Sequence, residues 1–100
     1  MIVVNVIIDS TKKDIAALKQ AIATMETASR AESGCEDYTF SVELNEPTRV
    51  RVTERWRDIQ ALKSHFATPH MAAFNIAMSS HPPRGMVVKC YEVREIPLPR

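Results

Sequence analysis

From Ile2 to Ile8 the chain is almost entirely β-branched, broken only by Asn5, which predicts a strand apolar on both faces in the middle of a sheet. After Asp9-Ser10-Thr11, where Thr11 and Asp14 have the spacing of a capping box, apolar residues recur at Ile15, Leu18, Ile22 and Met25. That period is an amphipathic helix ending near Ala31. Gly34 turns the chain into a second strand, in which Tyr38, Phe40, Val42 and Leu44 alternate with Thr39, Ser41 and Glu43. Asn45-Glu46-Pro47 punctuates the chain. The run from Thr48 to Trp56 then places Val50, Val52, Glu54 and Trp56 on one face and Arg49, Arg51, Thr53 and Arg55 on the other, so the two strands form a hairpin. Asp58 caps a short helix carrying Ile59, Leu62, His65 and Phe66. Thr68-Pro69 starts another, carrying His70, Phe74, Ala77 and Met78, which His81-Pro82-Pro83 closes. A last strand is predicted from Met86 to Ile96, before Pro97 and Pro99.

The order β-α-β-β-α-α-β, with right-handed crossovers, folds into a four-stranded antiparallel sheet with the helices on one face, the ferredoxin-like α+β arrangement, as a single domain over residues 1–100. Val4, Val6 and Ile8 are expected on the open face of that sheet, where the chain's own helices cannot cover them. A second copy packed sheet on sheet would cover them, so a homodimer is expected.

Composition narrows the function. The 100 residues include only two glycines, Gly34 and Gly85, far apart, so no glycine-rich phosphate loop or dinucleotide fingerprint exists. A chain of this size buries about 65% of its unfolded surface, enough for one modest core. The 13 basic and 12 acidic residues balance to +1, which gives no electrostatic case for nucleic acid or an acidic membrane. Cys35 and Cys90 form no CxxC pair and read as small buried hydrophobes, and no apolar run approaches the roughly 20 residues of a membrane span. A reduced, cytoplasmic protein is expected.

Several polar or amphipathic residues stand where plain apolar ones are expected. Asn5 fits either a site residue or a buried amide satisfied by backbone, and Trp56 either a pocket wall or simple core. His65 lies on the buried stripe between Leu62 and Phe66, where desolvation favours a neutral imidazole able to accept a proton; a core histidine with one satisfied bond fits equally. His70, in the first turn of its helix, reads more simply as packing near the helix start. Glu54 shares a face with Trp56 and is placed to orient a histidine or bond a backbone amide. Arg49, Arg51 and Arg55 read as cross-strand charge partners. His65 and His70 are five apart across a proline break and no HExxH is present, so no metal site is expected.

Gly34-Cys35, Tyr38, Glu54-Arg55-Trp56 and the stretch from Ala61 to Phe74, which contains H-x-x-T-P-H, together resemble the antibiotic biosynthesis monooxygenase family, and most closely its small quinol monooxygenase branch. The resemblance implies a dimeric α/β barrel of ferredoxin-like subunits. It also implies oxidation of a small aromatic phenol or quinol by O2 without flavin, haem or metal. The pocket would then lie between sheet and helices, lined by Asn5 and Trp56 and entered by His65. In that reading His65 or a water takes the phenolic proton, Asn5 and the Trp56 indole N–H hold the oxygenated intermediate, and Phe66 and Phe74 exclude water.

Haem-degrading relatives share the fold, but this chain has His65 where their tryptophan falls and Asn75 where their haem-ligating histidine falls, which disfavours haem. Another relative class isomerises a phosphorylated sugar and carries a similar H-x-x-T-P-H stretch; Arg84 would then hold phosphate, or is simply a loop charge. A non-catalytic dimeric binder of aromatic ligands is the remaining alternative.

Overall fold

The computed structural model covers residues 1–100. Strand β1 (Ile2–Asp9), helix α1 (Lys12–Arg30), strands β2 (Cys35–Glu43) and β3 (Glu46–Trp56), helices α2 (Ile59–Phe66) and α3 (Pro69–Ser80) and strand β4 (Gly85–Glu92) follow one another in the expected order. The sheet is antiparallel with strand order β2-β3-β1-β4, so the β-branched first strand is central. Its inner face meets the helices in a core that includes Val4, Val6, Val52, Trp56, Met25 and Leu62.

Register decides which side of β1 is which. Ile2, Val4, Val6 and Ile8 lie opposite Trp56, Glu54, Val52 and Val50, and residues directly opposite share a face. Val4, Val6 and Ile8 are therefore buried beneath the helices, contrary to the expectation that they occupy the open face. The open face carries Val3, Asn5 and Ile7 instead, beside Val87, Lys89 and Tyr91 of β4. The arginine side of β3 also faces outward. Arg51 pairs with Glu43 at 2.8 Å and Arg55 with Asp37 at 3.3 Å, exposed ion pairs contributing about 0–1 kcal/mol each.

The helix caps follow the sequence closely, with one change. Thr11 Oγ1 accepts from the Asp14 backbone N–H at 3.1 Å, but the Asp14 carboxylate does not return the bond; it lies 3.1 Å from His81 Nδ1 and ties α1 to the end of α3. Asp58 and Thr68 accept from Ala61 N and Met71 N at the starts of α2 and α3. The amide bond at the start of α2 holds the Asp58 carboxyl below its ordinary range, with help from Arg57. Two α1 side chains also satisfy the free edge of β2: Glu26 Oε2 accepts from Phe40 N at 2.8 Å, and Arg30 Nε donates to Tyr38 O at 2.9 Å.

Strand β4 stops at Glu92, short of the expected Ile96. Its only neighbour is β1, whose Ile2 is paired with Glu92; after Val93 N donates to Met1 O there is no backbone left to pair with. Both faces of β4 are exposed, and α3 has no fully buried residue, so this side of the sheet is only partly covered.

Gly34 is the one position that needs glycine. Its φ is +86°, and a Cβ there would stand 2.7 Å from the Ala61 Cβ of α2. Its carbonyl accepts from Arg57 N at 2.8 Å, which locks the α1–β2 turn to the β3–α2 turn. Gly34→Ala should lower folding stability by about 1–3 kcal/mol, through a strained φ and a displaced α2. Urea denaturation with an unchanged slope measures it, and a midpoint equal to wild type would show that the turn relaxes freely.

Candidate active site

Between the inner sheet face and α3 lies a cavity of about 470 Å³, open on the β4 side. Its floor is Val4, Val6 and Val52, and Phe66, Met71 and Phe74 form part of its helical wall. The polar exceptions are Glu54, Tyr38, Asn75 and Ser79, and no cationic side chain faces it. This is the size and character of a small-molecule site: mostly apolar, with a few polar anchors.

Glu54 is the ionisable anchor on the β3 wall. Alternation puts it on the inner face between Val52 and Trp56, where it is 7% exposed. The Trp56 indole N–H donates to its Oε1 at 3.0 Å. Burial raises its pKa above the ordinary carboxylate value, and the nearby Glu32 adds to the rise; the tryptophan hydrogen bond and neighbouring His65 oppose it. Tyr38 shifts upward as well, chiefly by burial and then by the Glu54 carboxylate, so its phenol stays protonated.

Behind Glu54 and Trp56 lies a second polar cluster. His65 is 1% exposed, with its ring 4.7 Å from that of Trp56 and 5.4 Å from that of Tyr38. Its Nδ1 lies 2.6 Å from Glu32 Oε2, and the same oxygen is 2.7 Å from His70 Nε2. An ionised carboxylate only accepts, so each imidazole places an N–H toward it. The cluster joins the α1–β2 turn to α2 and α3.

Of the residues expected at the site, Phe66, Phe74 and Glu54 line the cavity. His65, His70 and Trp56 are gathered immediately behind it: Trp56 is fully buried with its N–H committed to Glu54, and both histidines are committed to Glu32. Asn5 is not part of this group. It is exposed on the opposite face of the sheet, across from Thr53 and Lys89, because it is out of phase with the buried residues of β1. Arg84 is likewise elsewhere, donating to Asp9 Oδ1 at 3.2 Å and to Ser10 O at 2.7 Å to brace the β1–α1 turn.

Three residues escaped the sequence reading as site residues. Glu32 sits in a turn with no periodicity to mark it, and only its neighbour Gly34 signals that the turn packs closely. Asn75 and Ser79 are four apart on α3 and so share the helix face toward the cavity, a signal that was available.

The β-α-β-β-α-α-β order and the antiparallel sheet define a ferredoxin-like α+β domain, here with an apolar cavity beneath its helices. The chain belongs to the antibiotic biosynthesis monooxygenase family, whose sequence model matches residues 1–76, and this membership supports a monooxygenase-type activity on a small molecule. A search of the curated proteins finds no match. Among solved structures, a Deinococcus radiodurans protein assigned as an antibiotic biosynthesis monooxygenase has a similar fold, with TM-score 0.89 and 24% identity over 100% of this chain and 99% of that one. Protein SO0527 from Shewanella oneidensis superposes with TM-score 0.77 at 28% identity, over 90% of this chain and 87% of the other. Rv0793 from Mycobacterium tuberculosis does so with TM-score 0.84 at 22% identity, over 97% and 98%.

The raised Glu54 pKa has a consequence for stability. The folded chain holds this proton more tightly than the unfolded one, so stability falls as pH rises from the ordinary value of 4.5 through the raised one, and the loss is complete above it. Glu54→Gln keeps an acceptor for Trp56 without the buried charge. It should unfold at a higher temperature than wild type near neutral pH, with the gap closing in acid. Thermal unfolding across pH measures this, and a variant less stable than wild type at every pH would contradict it.

Proposed function

We propose that the chain oxidises an aromatic phenol or quinol with O2 in the cavity beneath α3, without a cofactor, and that Glu54 is the general base. The observation that carries this reading is a desolvated carboxylate set into the wall of a mostly apolar cavity. Burial raises the Glu54 pKa above the ordinary carboxylate value, which makes it a stronger base than an exposed carboxylate.

An aromatic ring resting between Phe66, Phe74 and the valine floor presents its hydroxyl to Glu54, which accepts the proton. The phenolate that results is electron-rich and transfers one electron to O2; the radical pair combines at a ring carbon to form a C–O bond. Loss of water from the peroxide completes the change. For a hydroquinone the overall balance is one quinol and one O2 to one hydroxyquinone and one water. Asn75 and Ser79 are the side chains placed to hydrogen-bond the oxygenated intermediate, in place of Asn5 and Trp56. Phe66 and Phe74 keep water from the radical pair. His65 supports the Glu54–Trp56 pair from behind rather than meeting the substrate.

The phosphosugar alternative loses its anion anchor, since Arg84 is bound at the β1–α1 turn and the one charged group on the cavity wall is a carboxylate, which repels phosphate. The proposed setting is a reducing cytoplasm, consistent with Cys35 and Cys90 as free thiols; no helix is long and apolar enough to cross a membrane.

A homodimer belongs to the same proposal, packed on the open sheet face as the sequence pattern suggested but through other residues than Val4, Val6 and Ile8. Val3, Ile7, Val87 and Tyr91 form the apolar part of the outer sheet face, and Val87 and Tyr91 are 51% and 45% exposed. A second copy seated there covers β4. Gel filtration should give twice the mass of one chain, and Tyr91→Glu should shift it toward the monomer; a wild-type monomer at micromolar concentration would remove the dimer.

Oxygen uptake with a dihydroxynaphthalene tests the chemistry. Wild type should consume O2 and release a hydroxyquinone, and Glu54→Gln should lower kcat by about 10²-fold or more with its fold intact. Equal rates would remove Glu54 as the base, and no turnover of any phenol or quinol by wild type would leave a binding protein.

A further inference from the structure

No member of the cluster behind the cavity meets the substrate in the proposed oxidation. Glu32 comes from the α1–β2 turn, His65 from the last turn of α2 and His70 from the first turn of α3; one ligand atom from each lies within 4.8 Å of the other two. None of the three lines the cavity. Glu32 makes no ion pair with lysine or arginine; its side-chain partners are the two imidazoles. Two ring nitrogens from different helices thus aim at one carboxylate oxygen, at 2.6 Å and 2.7 Å.

Two imidazoles and a carboxylate are a donor set for borderline divalent transition metals, with water completing a tetrahedron. At metal–ligand distances near 2.1 Å, tetrahedral geometry separates neighbouring donors by roughly 3.4 Å. The Glu32 oxygen must therefore withdraw by about 0.7–0.8 Å from each nitrogen, and the two nitrogens must settle at the same donor spacing, changes that fall to Glu32 on its turn and to the partly exposed His70. The ion also has a way in. His70 is 20% exposed and lines a recess of about 160 Å³ between α1 and α3, beside Gln20, Thr24 and Phe74.

We propose that Glu32, His65 and His70 bind one divalent transition-metal ion, with zinc(II) the best fit, as a clasp joining the α1–β2 turn to α2 and α3. Ligation through His65 Nδ1 and His70 Nε2 requires each neutral imidazole to carry its proton on the other ring nitrogen, a change of tautomer with no net proton loss. The ion would close the same side of the molecule that Gly34 locks through its backbone. Because the unfolded chain does not assemble these three side chains, zinc stabilises the native state by mass action.

The test uses the full chain, stripped with a chelator and titrated with zinc chloride by calorimetry and thermal unfolding. One ion per chain should bind with a dissociation constant on the order of micromolar or tighter, with a rise in melting temperature. His70→Ala, at a partly exposed position, should weaken binding by about tenfold or more. His81→Ala, whose imidazole faces Asp14 elsewhere, should bind as wild type does. Nitrogen NMR of the wild-type histidines reads the same ligation without a variant: zinc should shift His65 Nδ1 and His70 Nε2 and leave His81 alone. Absence of binding at 100-fold higher zinc, undiminished affinity in His70→Ala, or a zinc-induced shift confined to His81 would each overturn the site.

Discussion

The bond between the Trp56 indole and Glu54 is the constraint around which the site is built. A carboxylate withdrawn from water must recover part of its lost solvation, and here one N–H at 3.0 Å does so from the largest fully buried side chain in the molecule. The bond fixes Glu54 at the cavity wall through Oε1 and uses the only polar side-chain atom of Trp56, so the indole has no hydrogen bond left to offer a substrate. His65 packs behind both, its ring against the indole, and is held in turn by Glu32. The cavity therefore meets one desolvated carboxylate, backed by the buried Trp56 and His65.

Much of this was legible in the sequence because strands announce their phase. Val50, Val52, Glu54 and Trp56 alternate with arginines, and the inner and outer faces of β3 followed directly. For β1 both faces are apolar, and the phase rested on a subtler sign. Ile2, Val4, Val6 and Ile8 are uninterrupted, whereas Val3, Asn5, Ile7 and Asp9 include two polar residues. The polar interruption marks the solvent side, so Asn5 is the signature of the outer face and not of a pocket. The family resemblance suggested the opposite, and the pairing with Thr53 decides against it.

What the sequence could not supply is contact between segments without periodicity. Glu32 meets His65 and His70 across 33 and 38 residues, from a turn whose one cue is the glycine two positions later. The five-residue spacing of the histidines argued against cooperation because it treated them as one helix; the break at Thr68-Pro69 turns the chain so that rings on two helices converge, 5.9 Å apart. The end of β4 was equally hidden, since it depends on where β1 runs out and not on its own residues.

The chemistry of the site depends on Glu54 being a carboxyl whose proton is held by desolvation. The most direct measurement is the side-chain carboxyl carbon shift of Glu54 followed by NMR across pH, assigned by its absence in Glu54→Gln. A midpoint above the ordinary 4.5 is the predicted result, and a midpoint at or below 4.5 would contradict it.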